Sequence, residues 1–194
     1  MKTLIKSPAL LVLDVQKGFD DSFWGKRNNA QAEKNIAKLL TEWRKRGWEV
    51  IYSQHLSLLP KSPLNYQNKT GVEFKDIVHP LPQEVVFQKN VNSAFIGTEL
   101  ESFLRDKQIT SVVITGLSTQ HCVSTTTRMS GNLGFDTFLV EDATAAFEIT
   151  DHNGITHTPE DVHKYEIAAL HKEFATILKT NEVLAQIKQL NVNV

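Results

Sequence analysis

Residues Ala9 to Val15 (ALLVLDV) form an apolar run broken only by one carboxylate, Asp14. A strand apolar at successive positions must be covered on both faces, which is the situation of a parallel strand flanked by helices. Further runs of this kind follow in WEVIYS (Trp48 to Ser53), Val85-Val86-Phe87, SVVIT (Ser111 to Thr115), TFLV (Thr137 to Val140) and Ala175 to Leu178. Between them apolar residues recur at helical spacing, as in Ala32, Ile36, Leu39, Leu40 and Trp43, or Val183, Leu184, Ile187 and Leu190. This alternation predicts an open parallel α/β sheet with helices on both faces. Right-handed crossovers then gather the carboxyl ends of the strands on one edge, where ligands bind at the switch in strand order.

Local signals set the expected boundaries. Asn29 is placed to cap the first helix and Gly47 to stop it. Thr98 and Glu101 have the spacing of a capping box, and Thr158-Pro159 puts a proline at the first helical position. Asn181 is the expected cap of the last helix. Pro60, Pro63, Pro80 and Pro82 punctuate residues 56–84, a stretch with little periodicity. Its length predicts short helical turns and a functional role, with the segment helping to cover a site. His152, His157 and His163 fall in or beside a polar segment and read as solvated surface side chains.

The chain has 194 residues, 41% hydrophobic and 22% charged, with a formal net charge of −1. That suits one domain, residues 1–194, with a substantial core, and gives no electrostatic case for nucleic acid or an anionic membrane as partner. No apolar stretch reaches membrane-spanning length. The basic start and short apolar run at the N-terminus read as a first strand, not a signal peptide, because Pro8 precedes the run, Asp14 interrupts it and no small-residue cleavage site follows. A single cysteine forms no internal disulfide, which fits a reducing cytoplasm. No nucleotide-binding fingerprint is present and no cofactor is expected.

That cysteine lies in ITGLSTQHCVSTTTRMS (residues 114–130), which reads as a strand end, a glycine turn at Gly116, a Ser118-Thr119 pair suited to capping, and a helix with Cys122 in its first turn. Free N–H groups and the helix dipole there favour a thiolate, the nucleophilic form. A buried structural cysteine is the alternative. Asp14, Lys89 and Cys122 each sit at or just past the carboxyl end of a predicted strand, so residues far apart in sequence converge. Asp14 could take the thiol proton, Lys89 could orient Asp14 and stabilise the anion, and the backbone N–H groups of Ser118 and Cys122 could hold an oxyanion. Asp14 and Lys89 could equally be a structural ion pair.

LLVLDVQKGF, VVFQKNVNSAFIGTELESFLR and VVITGLSTQHCVSTTTRMSGNLGFDTFLVEDATAAF resemble, in order, the signature blocks of the isochorismatase-like cysteine hydrolases. The resemblance runs through the HKYEIAALHKEFATILKT region. It implies a three-layer α/β/α sandwich around a six-stranded parallel sheet, and a catalytic triad of Asp14, Lys89 and Cys122. It also implies a cis peptide at Leu117–Ser118 and a small-molecule substrate. Assembly as a homodimer or homotetramer, often with a neighbouring subunit edging the pocket, is implied as well. Nicotinamidases of this family carry an Asp-x-His metal motif after the second strand. Here the stretch is Ser53-Gln54-His55, without the carboxylate, so no metal is expected and His55 is expected to line the pocket or make structural hydrogen bonds. Phe19, Trp24, Asn92, Phe95 and Thr119 follow strand ends or adjoin the motifs and are candidate pocket residues, or else core or lid packing. Family members that cleave a vinyl ether lack the cysteine, so Cys122 points to amide, ureide or carbamoyl cleavage through a thioester. The competing readings are an isochorismatase-type or other non-amide hydrolase, and a non-catalytic ligand-binding or redox-sensing protein on the same scaffold.

Overall fold

Six parallel strands, in the order β3-β2-β1-β4-β5-β8, form the middle layer of the computed structural model, which describes Leu4 and residues 7–190. The charged start of the chain, read above against a signal peptide, lies largely outside the described residues. The strands are β1 (Ala9–Leu13), β2 (Val50–His55), β3 (Val85–Lys89), β4 (Ser111–Leu117), β5 (Asp136–Ala145) and β8 (Thr176–Leu178). The helices are α1 (Ala32–Arg46), α2 (Lys69–Val72), α3 (Leu100–Asp106), α4 (Ser124–Asn132), α5 (Pro159–Leu170) and α6 (Thr180–Leu190). A two-stranded antiparallel hairpin, β6 (Ile149–Thr150) with β7 (Thr156–His157), occupies the polar segment that precedes α5.

The continuous apolar runs are explained by the two cores they separate. Successive side chains of a strand face opposite ways. Leu10 and Val12 of β1 join Ile36, Leu39 and Trp43 of α1 and Val183 and Ile187 of α6. Ala9, Leu11 and Leu13 join Leu100 and Leu104 of α3 and Ile167 and Leu170 of α5. The result is the three-layer α/β/α arrangement. The chain builds outward from β1 to β2 and β3, then returns to β4 on the other side of β1. The switch in strand order therefore falls between the carboxyl ends of β1 and β4.

Gly47 closes α1 at φ 62, and Thr158 caps α5 by accepting from the Asp161 N–H, as read from the sequence. The other expected caps depart from the sequence reading. Asn29 donates to the carbonyls of Glu141 and Thr144 at 3.0 and 2.8 Å, while α1 starts after Gln31. The Thr98 hydroxyl donates to the Ala94 carbonyl and accepts from the N–H of Leu100, the first residue of α3, at 3.3 Å, while Glu101 pairs with Arg105, so the reciprocal capping box does not form. Asn181 lies inside α6, whose first residue Thr180 is tied to Asp142 by its N–H and hydroxyl, both at 2.8 Å. The strand predicted over Thr137 to Val140 continues to Ala145, beyond the acidic pair Glu141 and Asp142. Residues 56–84 do contain short turns, at α2 and at the 3-10 turn Asp76–Val78.

Candidate active site

The site grows from the ends of four adjacent strands. After β1, Asp14 enters the left-handed region at φ 52, uncommon for a non-glycine residue and typical of positions held by their surroundings. Its N–H donates to the Ser53 carbonyl at 3.1 Å, and its side chain is fully buried. Beside it, Gly116 of β4 has φ 124, and a Cβ there would lie 2.1 Å from the Leu13 carbonyl oxygen. Only glycine lets β4 approach β1 this closely. The pairing of β4 with β5 shifts between Ile114 and Gly116, and the cis peptide Leu117–Ser118 follows. Lys89 is the last residue of β3, opposite His55 at the end of β2.

Lys89 Nζ is the hub of the cluster. It lies 2.5 Å from Asp14 Oδ2, 3.3 Å from Cys122 Sγ, 3.3 Å from His55 Nδ1 and 3.2 Å from the Val91 carbonyl. Ser53 Oγ donates to the other oxygen of Asp14 at 2.6 Å. Both carboxylate oxygens thus have charged or hydroxyl donors, and the Asp14 and Lys89 side chains have no exposed surface. Cys122 Sγ also lies 3.8 Å from Asn92 Oδ1.

Cys122 does fall in the first turn of the helix that follows β4, but that turn is a π turn rather than an α turn. The residue lies in a π turn, Thr119–Val123, that precedes α4. Ser118 and Thr119 do not cap it: Ser118 Oγ meets His121 Nδ1 at 3.1 Å, and Thr119 Oγ1 meets His163 Nδ1 at 3.0 Å. Burial pushes the Cys122 thiol up and the Asp14 carboxylate adds to this, while Lys89 offsets only part. Burial works against charge on Lys89 too, but Asp14 and the sulfur outweigh it and hold the ammonium. His163 is half-buried rather than solvated, and burial lowers its pKa.

Cys122 opens onto a cavity of about 650 Å³. Phe19, Trp24, His55 and Asn92 line it, as do Phe23, Leu59 and Leu64. Phe19 packs on Trp24 with ring centroids 4.9 Å apart, and Trp24 Nε1 donates to the Gly18 carbonyl. Two expected pocket residues lie elsewhere. Phe95 belongs to the core on the α3 and α5 side, stacked on Phe135 at 6.0 Å. Thr119 is fully buried with its hydroxyl committed to His163. Sequence reasoning missed Ser53, His121 and the particular residues Leu59 and Leu64. The aperiodic stretch 56–84 was the one signal for the last two.

Asp14, His55 and Cys122 offer ligand atoms that lie within 4.8 Å of one another. The donor set is chemically suited to zinc. Lys89 Nζ, however, already contacts all three, so a metal ion would have to displace a charged, hydrogen-bonded ammonium. The residues present do not fit a resident metal.

The isochorismatase domain matches residues 8–182 of the chain. The isochorismatase family protein YrdC of Bacillus subtilis is 56% identical over 176 residues, spanning 91% of this chain and 94% of that protein. The crystal structure of a Chromobacterium violaceum protein assigned to the isochorismatase hydrolases superposes with a TM-score of 0.91 at 39% identity, covering 97% of this chain and 99% of that one. The ureidoacrylate amidohydrolase RutB of Cronobacter sakazakii is 37% identical over 90 residues, which is 46% of this chain and 36% of RutB.

Proposed function

The chain belongs to the isochorismatase family of hydrolases, and on that premise we propose that it is a cysteine amidohydrolase acting on a small amide, ureide or carbamoyl compound. One observation carries the reading: a thiol, a carboxylate and an ammonium group in mutual contact at the wall of a cavity. The partial match to an amidohydrolase supports the bond class.

The chemistry follows from charge conservation in a dry site. The proposed cycle starts from a carboxylate, an ammonium and a thiol. Moving the thiol proton to Asp14 leaves the net charge unchanged, with Lys89 at 3.3 Å from the sulfur to stabilise the new anion. The thiolate attacks the carbonyl carbon, forming a C–S bond, and the backbone N–H groups of Ser118 and Cys122 hold the oxyanion. Collapse breaks the C–N bond as Asp14 gives its proton to the departing ammonia or amine. Water then adds to the thioester while Asp14 takes a proton from it. The C–S bond breaks, the carboxylic acid leaves and the thiol is restored.

Assembly as a homodimer or homotetramer belongs to this proposal. Phe23 and Leu59 line the cavity yet are 58% and 71% exposed, which suits cover by a neighbouring copy. Ammonia release from a panel of carboxamides, ureides and carbamoyl compounds tests the reading, with Cys122→Ala and Asp14→Asn as controls. Turnover abolished in both variants supports it. Turnover that survives Cys122→Ala but not Asp14→Asn points instead to acid catalysis on a non-amide bond.

A further inference from the structure

Ser53 holds Asp14 at two points. Its carbonyl accepts from the Asp14 N–H at 3.1 Å, and its hydroxyl donates to Asp14 Oδ1 at 2.6 Å. The serine is fully buried on β2, which pairs with β1 on one side and β3 on the other, so its backbone is fixed by both neighbours. A side chain this short leaves the hydroxyl oxygen only rotation about Cα–Cβ. The second anchor of the carboxylate is less exacting. Lys89 Nζ ends a flexible four-carbon stem and divides its three N–H donors among four neighbours, namely Asp14, Cys122, His55 and the Val91 carbonyl. An aspartate carboxylate turns readily about its last bond, and such an ammonium can follow it. The serine hydroxyl is what fixes the plane.

That plane matters because Asp14 handles one proton twice. An Asp14 oxygen and Cys122 Sγ lie within 4.8 Å of each other. In the acylation proposed above, the S–H proton passes to Asp14 as the C–S bond forms, then to the nitrogen as the C–N bond breaks. Uptake is the easier half, since the thiol belongs to the same buried cluster. Delivery is more demanding, because the nitrogen belongs to the substrate and a small misplacement of the donor is costly. Charge adds to geometry. A hydroxyl binds a carboxylate more strongly than a carboxylic acid, so the Ser53 bond tightens as Asp14 gives the proton up.

Resting on the amidohydrolase reading, we propose that Ser53 is a positioning residue, whose hydroxyl sets the Asp14 carboxylate to hand the thiol proton to the departing nitrogen. With no exposed surface, Ser53 touches no substrate and acts through Asp14. The consequence is selective. Cleavage of an amide needs the delivered proton, whereas the p-nitrophenolate of an aryl ester leaves without one. Ser53 therefore bears on which bonds the site breaks and not on which acyl groups it accepts.

The test compares the fastest amide found with the p-nitrophenyl ester of the same acyl group. Both give the same thioester, and kcat/KM covers the steps up to it, so the shared hydrolysis drops out. In Ser53→Ala the amide-to-ester ratio of kcat/KM should fall about thirtyfold, part of the roughly hundredfold or more that a well-placed acid–base group contributes. A ratio taken within one variant is blind to how much of the protein is folded, so a merely structural serine would leave it unchanged. Ser53→Thr keeps the hydroxyl and should keep the ratio within about threefold of the unmodified protein, whatever the added methyl does to stability. In 13C-labelled protein, the Asp14 carboxyl signal, identified by its loss in Asp14→Asn, should move in Ser53→Ala and hold its place in Ser53→Thr. An unchanged ratio in Ser53→Ala, an equal fall in Ser53→Thr, or a carboxyl signal indifferent to Ser53→Ala would overturn the proposal. If the unmodified protein cleaves no amide but the carboxyl signal responds as described, the amidohydrolase reading fails while Ser53 stands as the residue that sets Asp14.

Discussion

The clusters around Glu33 and Asp14 each hold a carboxylate against an ammonium, and they differ in what is left over. At Glu33, in the first turn of α1, Arg27 approaches with Nη1 and Nη2 at 2.6 and 2.7 Å, and Lys75 at 2.8 Å. Burial resists the charge on Glu33, but the hydrogen bonds from Arg27 and Lys75 overcome it and lower its pKa to about 2. Lys75 also bonds Asp20. The network therefore ties the stretch before α1 and the irregular segment 56–84 to the body of the domain. At Asp14 the ion pair is drier, with no exposed side-chain surface on either partner, and the same ammonium still reaches a thiol and an imidazole beside the cavity. Shifted pKa values occur in both places. A buried ion pair marks a candidate site only when a reactive atom is left in contact with it.

Removing one member of each cluster should separate the two sharply. Cys122→Ala should lower amide turnover by roughly a thousandfold or more while leaving the fold intact, as circular dichroism would show. Asp14→Asn should lose comparable activity and also destabilise by about 3–5 kcal/mol, because Lys89 stays buried without its counter-charge. Glu33→Gln should do the reverse. Urea unfolding should report a loss of roughly 2–3 kcal/mol at neutral pH, and kcat/KM should stay within about threefold. Unchanged stability in Glu33→Gln, or a large fall in its turnover, would erase the distinction.

Acid sharpens it further. The Glu33 pKa is depressed in the folded chain, so its contribution is fully present above the ordinary carboxylate value of 4.5 and is lost as the pH falls towards about 2. The stability gap between the wild type and Glu33→Gln should close over that window. A gap that stays constant there would show that the network does not hold the charge. The smallest contrast is between two aromatics proposed alike from sequence. Trp24→Ala should raise KM about tenfold, with little change in kcat. Phe95→Ala should leave KM alone and cost about 2–3 kcal/mol of stability through lost packing on Phe135.

The parallel sheet was legible because its strands are apolar on both faces, a pattern that few other arrangements tolerate. Asp14, Lys89 and Cys122 were legible for the same reason, since strand ends at a switch in strand order bring distant residues together. Detail below that level depended on which partner a side chain finds. Asn29 and Asn181 are sound caps by residue type, yet a tertiary partner took the first and a shifted helix start displaced the second, while Thr98 keeps one bond to α3 without the reciprocal box. Ser53 looked like a missing metal ligand and is a donor to Asp14. The π turn at Cys122 has no signature in residue type, and burial there opposes the thiolate that the dipole favours.

The most direct measurement is a rapid acid quench of the unmodified protein during turnover of the fastest amide found, followed by mass analysis of the peptide containing Cys122. A nucleophilic thiol served by Asp14 and Lys89 predicts that this peptide gains the mass of the substrate's acyl group, and that Asp14→Asn shows no such gain. An unmodified Cys122 peptide, together with turnover that persists in Cys122→Ala, would contradict it.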